Sequence, residues 1–297
     1  MSCTALKQTE SIPVIRYANF KVYDPICVGI EKGFYEAEGV RVEFLGDTLG
    51  GPTAIQAVAS GRAEAGLSSW FAIINAASAG LPIKGITDIQ SATKNQPLEE
   101  FFVRADSGII TAQDLKGKKI AVNLWKSSFH YTWIMYLESN GMAENDVEFI
   151  LMPFSDQATA LDAGAVDAIG LMQPYTNMAD NVFSGKFSRL YTALDVFGEK
   201  QFSVHFINSV WANAYPEQAA AFKRGTLKSI RYIEANQDEA KPIIAKCTGV
   251  DVQYIPDYFF QADGLASSLD AQYWIDYMRK RGDLKNDWLT LDDVLQK

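Results

Sequence analysis

Two stretches roughly a hundred residues apart carry the same pattern, and this repetition constrains the fold more than any other feature. In the first, Gly33-Phe-Tyr-Glu-Ala-Glu-Gly39 leads to Val42-Glu43-Phe44 and then to Ala57-Val-Ala-Ser-Gly-Arg-Ala-Glu-Ala65. In the second, Gly141-Met-Ala-Glu-Asn145 leads to Val147-Glu148-Phe149 and then to Ala160-Leu-Asp-Ala-Gly-Ala-Val-Asp-Ala168. Each copy reads as helix, glycine stop, short strand, helix, glycine turn, strand. Strands that alternate with helices form parallel βαβ units. A chain that builds this unit twice has two α/β lobes, and a cleft lies between them.

The 297 residues suffice for one bilobed unit with large cores. A formal net charge of −9 leaves a nucleic-acid partner without electrostatic support. It does not exclude a small anion, because local dipoles set the field inside a cleft. No apolar run approaches the roughly 20 residues that span a bilayer. With no signal peptide in view, the beginning Met1-Ser2-Cys3-Thr4 has the look of a processed lipoprotein, with an arbitrary start as the alternative. Cys3, Cys27 and Cys247 are scattered without metal-ligand spacing. Cys27 falls on an apolar helix face, so a buried free thiol is expected there rather than a bridge to Cys247.

Short apolar or alternating runs at 12–17, 40–44, 63–67, 83–89 and 101–104 read as the strands of a first lobe. Lys119–Val122 and Ala168–Leu171 belong to a second, and Val204–Trp211 is the expected return strand. Beyond it the character is helical, with Ala219, Phe222, Thr226, Ile230 and Ile233 at helical spacing. The expected organisation is lobe I from 12 to 104, lobe II from 105 to 203, and 204–297 closing back on lobe I.

The usual catalytic signatures are absent: there is no GxGxxG after a strand, no GxxxxGK[ST], no GxSxG and no HExxH. The two histidines, His130 and His205, are too few for most histidine metal sites. No metal and no cofactor is therefore expected, and the chain reads as a binder rather than an enzyme. In open α/β sheets ligands sit where strands end and helices begin. The loops there hold capping residues, among them Gly51, Ser68 and Ser127, whose helix N-termini favour an anion or acceptor. They also hold aromatic residues, among them Tyr17, Phe20, Trp70, Trp125, Phe129 and Tyr175. Trp70 and Trp125 each follow a strand, one per lobe, and would make two walls of a slot. Asp24, Asp156 and Gln173 are the candidate acceptors; no arginine stands in these loops.

The segments Gly29–Gly39, Gly51–Ala57 with Ser60-Gly61, Asp106–Val122, and Ala163–Ala168 followed by Gln173-Pro174-Tyr175 occur together in one order. Over residues 12–220 the chain resembles the nitrate/sulfonate/taurine-type substrate-binding proteins of ABC importers. That resemblance implies a periplasmic-binding-protein-like (type II) two-lobe fold with mostly parallel sheets and a hinge. It also implies a monomeric receptor outside the cytoplasmic membrane that hands its ligand to a permease. The family commonly has Glu before the Pro-Tyr pair where this chain has Gln173, which disfavours a cationic ligand. The family includes receptors for thiamin-pyrimidine precursors, and the aromatic loops look closer to those. A pyrimidine-forming enzyme of related fold carries a Cys-rich segment that this chain lacks.

The expected ligand is thus a small planar aromatic or heterocyclic compound, with or without an anionic group. Trp70 and Trp125 would stack on it, Tyr17 and Tyr175 line it, and Gly51, Ser68 and Ser127 bind its polar edge. A small aliphatic sulfonate or an inorganic anion such as nitrate is the alternative. An enzyme of cofactor biosynthesis using His130 or His205 is a more distant one.

Overall fold

The computed structural model describes residues 12–19, 22–94, 96–286 and 288–296. The expectations for Cys3 and Phe20 fall outside the described residues. Ten strands form two five-stranded sheets. Strands β1 (Val14–Asn19), β2 (Arg41–Asp47), β3 (Ala65–Ser69) and β4 (Ile83–Ser91) alternate with helices α1 (Ile26–Glu31), α2 (Gly51–Ala59) and α3 (Trp70–Ser78). The chain then crosses to β5 (Glu99–Arg104), β6 (Lys119–Val122), β7 (Glu148–Leu151), β8 (Ala168–Met172) and β9 (Phe187–Thr192). Helices α4 (Ser128–Ser139), α5 (Phe154–Asp162) and α6 (Tyr175–Val182) connect β6 to β9. After α7 (Ala193–Phe197) the chain returns as β10 (Gln201–Asn208).

The sheet orders are β2-β1-β3-β10-β4 and β7-β6-β8-β5-β9. The repeat is visible in both: β1 and β6 each pair in parallel with the two strands flanking them. In each sheet one strand runs against the rest, β10 in the first and β5 in the second. Each opposed strand is the one that has just crossed from the other lobe. Phe101–Arg104 therefore belongs to the second sheet, not the first, where the sequence alone placed it. Its all-apolar face gave no sign of which sheet it would enter.

The remaining chain is helical: α8 (Ser209–Ala214), α9 (Pro216–Ala235), α10 (Gln237–Thr248), α11 (Ser268–Arg281) and α12 (Leu291–Val294). These pack on the first lobe, α9 and α10 against α1 and α11 and α12 against α3. Helix α10 lies along α1 closely enough that Cys27 and Cys247 form a disulfide, with Cα atoms 6.2 Å apart. The free thiol expected at Cys27 is corrected by this packing, which brings together residues 220 positions apart in sequence.

The lobes touch. Phe71 of α3 stacks on Tyr131 of α4 at 4.4 Å between ring centroids, and Tyr131 and Met135 share an apolar cluster with Trp274 and Met278. At its edge Arg281 and Tyr277 of α11 reach Glu138 of α4. Gly50 abuts the second lobe so closely that a Cβ there would stand 2.9 Å from Leu124. Among the described residues no helix is long and apolar enough to cross a membrane.

A cavity at the seam of the two lobes

A cavity of about 40 Å³ lies where the loops of the two lobes meet. By volume it holds one to a few waters. The first lobe contributes Tyr23, Gly51, Pro52, Leu67, Ser68 and Ser69. The second contributes Glu99, Asn123, Ser127, Ser128, Phe129 and Phe154, and the returning β10 adds Phe202 and Ser203.

Three helices begin on this space. Helix α2 starts at Gly51 after Gly50, whose φ of 146° is open to glycine alone, and no side chain caps it. Helix α3 is capped by Ser69, whose Oγ accepts from the Ala72 amide at 3.4 Å. Helix α4 is capped by Ser127, whose Oγ accepts from the His130 amide at 3.4 Å and donates to Asn123 Oδ1 at 2.8 Å. Helix N-termini present partial positive charge and backbone donors to an acceptor. Two come from one lobe and one from the other, so a ligand here touches both.

Polar groups on the wall are left without partners. The Ser68 hydroxyl, Tyr23 hydroxyl and Glu99 Oε1 are buried and make no hydrogen bond within the protein. Buried polar atoms ordinarily find partners, and these three share one cavity. The rest of the lining is largely apolar: Phe129 and Phe154 meet edge to face at 4.8 Å, and Ile89 and Met172 also line the space. Among the described residues no Lys or Arg lines the space. Burial pushes the Glu99 carboxyl up to about 8, against the opposing influence of the Ser128 and Thr132 hydroxyls.

Of the residues expected from sequence, Gly51, Ser68, Ser127 and Phe129 come together here. The others are elsewhere, for identifiable reasons. Trp70 has no exposed surface and fills the first lobe's core, its ring under Gly85, where a Cβ would lie 2.7 Å away. Helix α3 is apolar almost all round, as a buried helix is. Trp125 turns outward, 49% exposed, with its ring edge-to-face on His130 at 4.9 Å. The neighbouring Lys126 has a φ of 60°, so the loop reverses there.

Tyr17 and Asp24 are buried in the first lobe. Tyr17 donates to Asp24 Oδ2 at 2.6 Å, and Asp24 Oδ1 accepts from the Ile26 amide at 2.9 Å. His205 Nε2 stands 3.0 Å from Asp24 Oδ1, and its Nδ1 stands 2.9 Å from Thr87 Oγ1. This closed network locks β1, β4, β10 and the start of α1. Asp156 is exposed in the first turn of α5 and takes the Ser155 hydroxyl at 2.8 Å. Gln173 donates to Asn177 Oδ1 at 3.0 Å, in a separate cleft with Pro256 and Phe259. Tyr175 lies behind Phe154, near-parallel to it at 5.9 Å, and stiffens that wall without lining the cavity. His130 is likewise enclosed, and burial holds it down to about 4.

Sequence reasoning missed Glu99 altogether. Its only signal was a Glu-Glu pair opening a strand whose centre, Phe101 to Val103, is apolar.

Comparison with known proteins agrees with the two-lobe fold. Residues 21–240 match the family described as NMT1/THI5 like. The chain belongs to that family. The match spans all the motifs on which the resemblance was drawn, from Gly29 to Tyr175. A Bacillus subtilis (strain 168) relative, provisionally named an aliphatic sulfonates-binding protein, is 23% identical and aligns over 83% of this chain and 73% of its own. The riboflavin-binding protein RibY of Chloroflexus aurantiacus is 26% identical over 83% of this chain and 65% of its own. In fold, the alkanesulfonate-binding protein SsuA of Xanthomonas axonopodis pv. citri, solved with MOPS, superposes with a TM-score of 0.77. It is 18% identical, and the match covers 98% of this chain and all of that one, 100%.

Proposed function

We propose that this protein is a non-catalytic, extracytoplasmic receptor of an ABC importer whose two lobes enclose a small oxyanion, an aliphatic sulfonate foremost. The observation that carries this reading is the seam cavity itself. Helix N-termini from both lobes converge there with serine hydroxyls, that of Ser68 unpartnered, and among the described residues no cationic side chain lines the space. Such a site holds charge through dipoles and short hydrogen bonds. The oxyanion would lie between Gly51 and Ser68 on one side and Ser127 and Ser128 on the other, its carbon tail against Phe129 and Phe154. Contacts to both lobes are what a hinge closure needs from its ligand.

The family match supports the receptor role and, with it, a permease partner; the Cys27–Cys247 disulfide fits an oxidising compartment. His205 is committed to Asp24 and Thr87, and His130 accepts from the Lys126 amide through Nδ1 and does not line the cavity, which opposes the enzyme alternative. A second reading, a flat heteroaromatic ligand, is favoured by Tyr23, Phe129 and Phe154 on the cavity wall, with the slot formed by these rings rather than by Trp70 and Trp125. Calorimetry and thermal shift with alkanesulfonates, nitrate and flavin- or pyrimidine-type compounds separate the two, because a specific ligand raises the melting temperature by mass action. Saturable binding of a sulfonate, weakened by Ser68→Ala and Ser127→Ala, supports the first reading. Saturable binding only of flat heteroaromatics replaces it with the second, and no binding by any compound refutes both.

A further inference from the structure

Glu99 is the one ionisable carboxyl on the cavity wall, and it is only 1% exposed. The Thr132 hydroxyl donates to its Oε2 at 2.8 Å, while Oε1 has no partner. A carboxylate on the wall of an anion site repels the ligand; a carboxylic acid there is a donor. The surroundings of Glu99 decide between the two forms. Tyr191 faces it from β9, Met172 is its cross-strand neighbour on β8, and Ser128 and Thr132 flank it from α4. Tyr23 stands across the cavity on the first lobe. None of these is a cation. The one arginine nearby, Arg189, is ion-paired to Glu100, the next residue along β5, whose side chain takes the opposite face of the strand.

We propose that Glu99 is a specificity-determining residue that binds as the neutral acid, donating its carboxyl proton to the ligand's oxyanion, so that the receptor takes up an anion together with the proton that Glu99 retains. This rests on the oxyanion reading of the seam cavity. The burial that pushes Glu99 up to about 8 keeps the acid protonated at neutral pH. Tyr23 and Tyr191 are held well above the usual tyrosine range by burial, so neither changes charge in the window that matters. No covalent change is involved: the proton stays on Glu99 and is shared in a hydrogen bond with one ligand oxygen. The arrangement also accounts for a cavity with hydroxyls and amides but, among the described residues, no Lys or Arg. A single neutral donor supplies attraction without a fixed charge, and it rejects anions when it ionises.

The test uses the whole protein with two readouts. The first is the carboxyl carbon of Glu99 followed by NMR from pH 5 to 10 without ligand, assigned by Glu99→Gln. The second is calorimetric affinity for an alkanesulfonate over the same range. The expected result is a Glu99 titration near 8, with affinity constant below it and falling by up to about tenfold per pH unit above it. Glu99→Gln, which keeps a donor but cannot ionise, should bind at all these pH values with a flat profile, and Glu99→Asp should bind weakly. A Glu99 titration at ordinary carboxylate pH, or sulfonate affinity that persists unchanged to pH 10, overturns the proposal while leaving the oxyanion site standing. No sulfonate binding at any pH removes the site's reading and this inference with it, a different result from the NMR titration alone.

Discussion

Replacing Gly51 by Ala places one methyl group at the point where the first lobe's helix start meets its strand end. An added Cβ would stand 2.2 Å from Ser68 Oγ, 3.0 Å from Ser68 Cβ and 3.2 Å from Ser68 Cα. The hydroxyl can rotate away, but the Cβ and Cα are fixed by β3, so either the strand or the start of α2 must shift. Overpacking of this kind costs typically about 1–3 kcal/mol. For a chain of this size each kcal/mol moves the melting temperature by roughly 2 °C or a little more, so the expected loss is about 2–6 °C. Ligand affinity should fall as well, because the displaced Ser68 hydroxyl is one of the cavity's free donors. The companion Ser68→Gly removes the two closest clashing atoms and leaves only the 3.2 Å contact with Ser68 Cα. In a double-mutant cycle followed by calorimetric melting, Gly51→Ala with Ser68→Gly should recover much of the lost stability, a favourable coupling of about 0.5–3 kcal/mol. Affinity should not recover, since the hydroxyl is gone. A Gly51→Ala protein that melts with the parent and binds sulfonate equally well would refute the close packing on which the site rests.

Trp70→Ala should destabilise by about 3–5 kcal/mol, while a milder Trp70→Phe protein keeps ligand affinity, measured by denaturation and calorimetry, because the ring serves the core and not the cavity. Cys27→Ser with Cys247→Ser should lower stability by about 2–5 kcal/mol relative to the oxidised parent, and adding reductant to the parent should reproduce the loss. Asp88, buried with one oxygen unpartnered, is pushed up to about 7 by burial. Its folded form binds its proton more tightly than the unfolded chain does. The stability it contributes is therefore full below the ordinary carboxyl range and is lost as pH rises through about 7. Asp88→Asn should flatten that fall in a pH series of denaturation curves, against a parent whose other groups are unchanged. Arg281→Gln, which breaks the contacts with Glu138 and Glu144 across the lobes, should shift unliganded protein toward a larger radius of gyration in solution scattering.

The architecture was legible because periodicity and glycine stops are local signals. The paired motifs at 33–65 and 141–168 placed two βαβ units, and nearly every strand they imply is present. The lining of the cavity was half legible. Gly51, Ser68 and Ser127 were found because capping residues after strands mark helix starts, and helix starts mark ligand sites. Trp70 was misplaced because the same position after a strand serves equally well for a core ring. Only the density of apolar neighbours in Trp70–Ala77 separates the two. Glu99 was invisible for a different reason: its place on the cavity wall comes from the strand crossing that carries it into the second sheet, a non-local fact. The disulfide was misjudged likewise, because α10 docks on α1 only once the first lobe is complete.

The second sheet is made from one uninterrupted length of chain, β5 to β9, but the first is not, because its opposed strand β10 arrives only after the second is complete. Cutting the polypeptide between 94 and 98 would strand β3 and β4 with a gap where β10 should sit, and would leave β10 attached to the wrong fragment. The amino-terminal half thus lacks a slat of its floor that only the other half holds. A ribosome must deliver residue 208 before the amino-terminal half can close, and an engineer wishing to exchange ligand specificity by swapping halves must graft both crossings together.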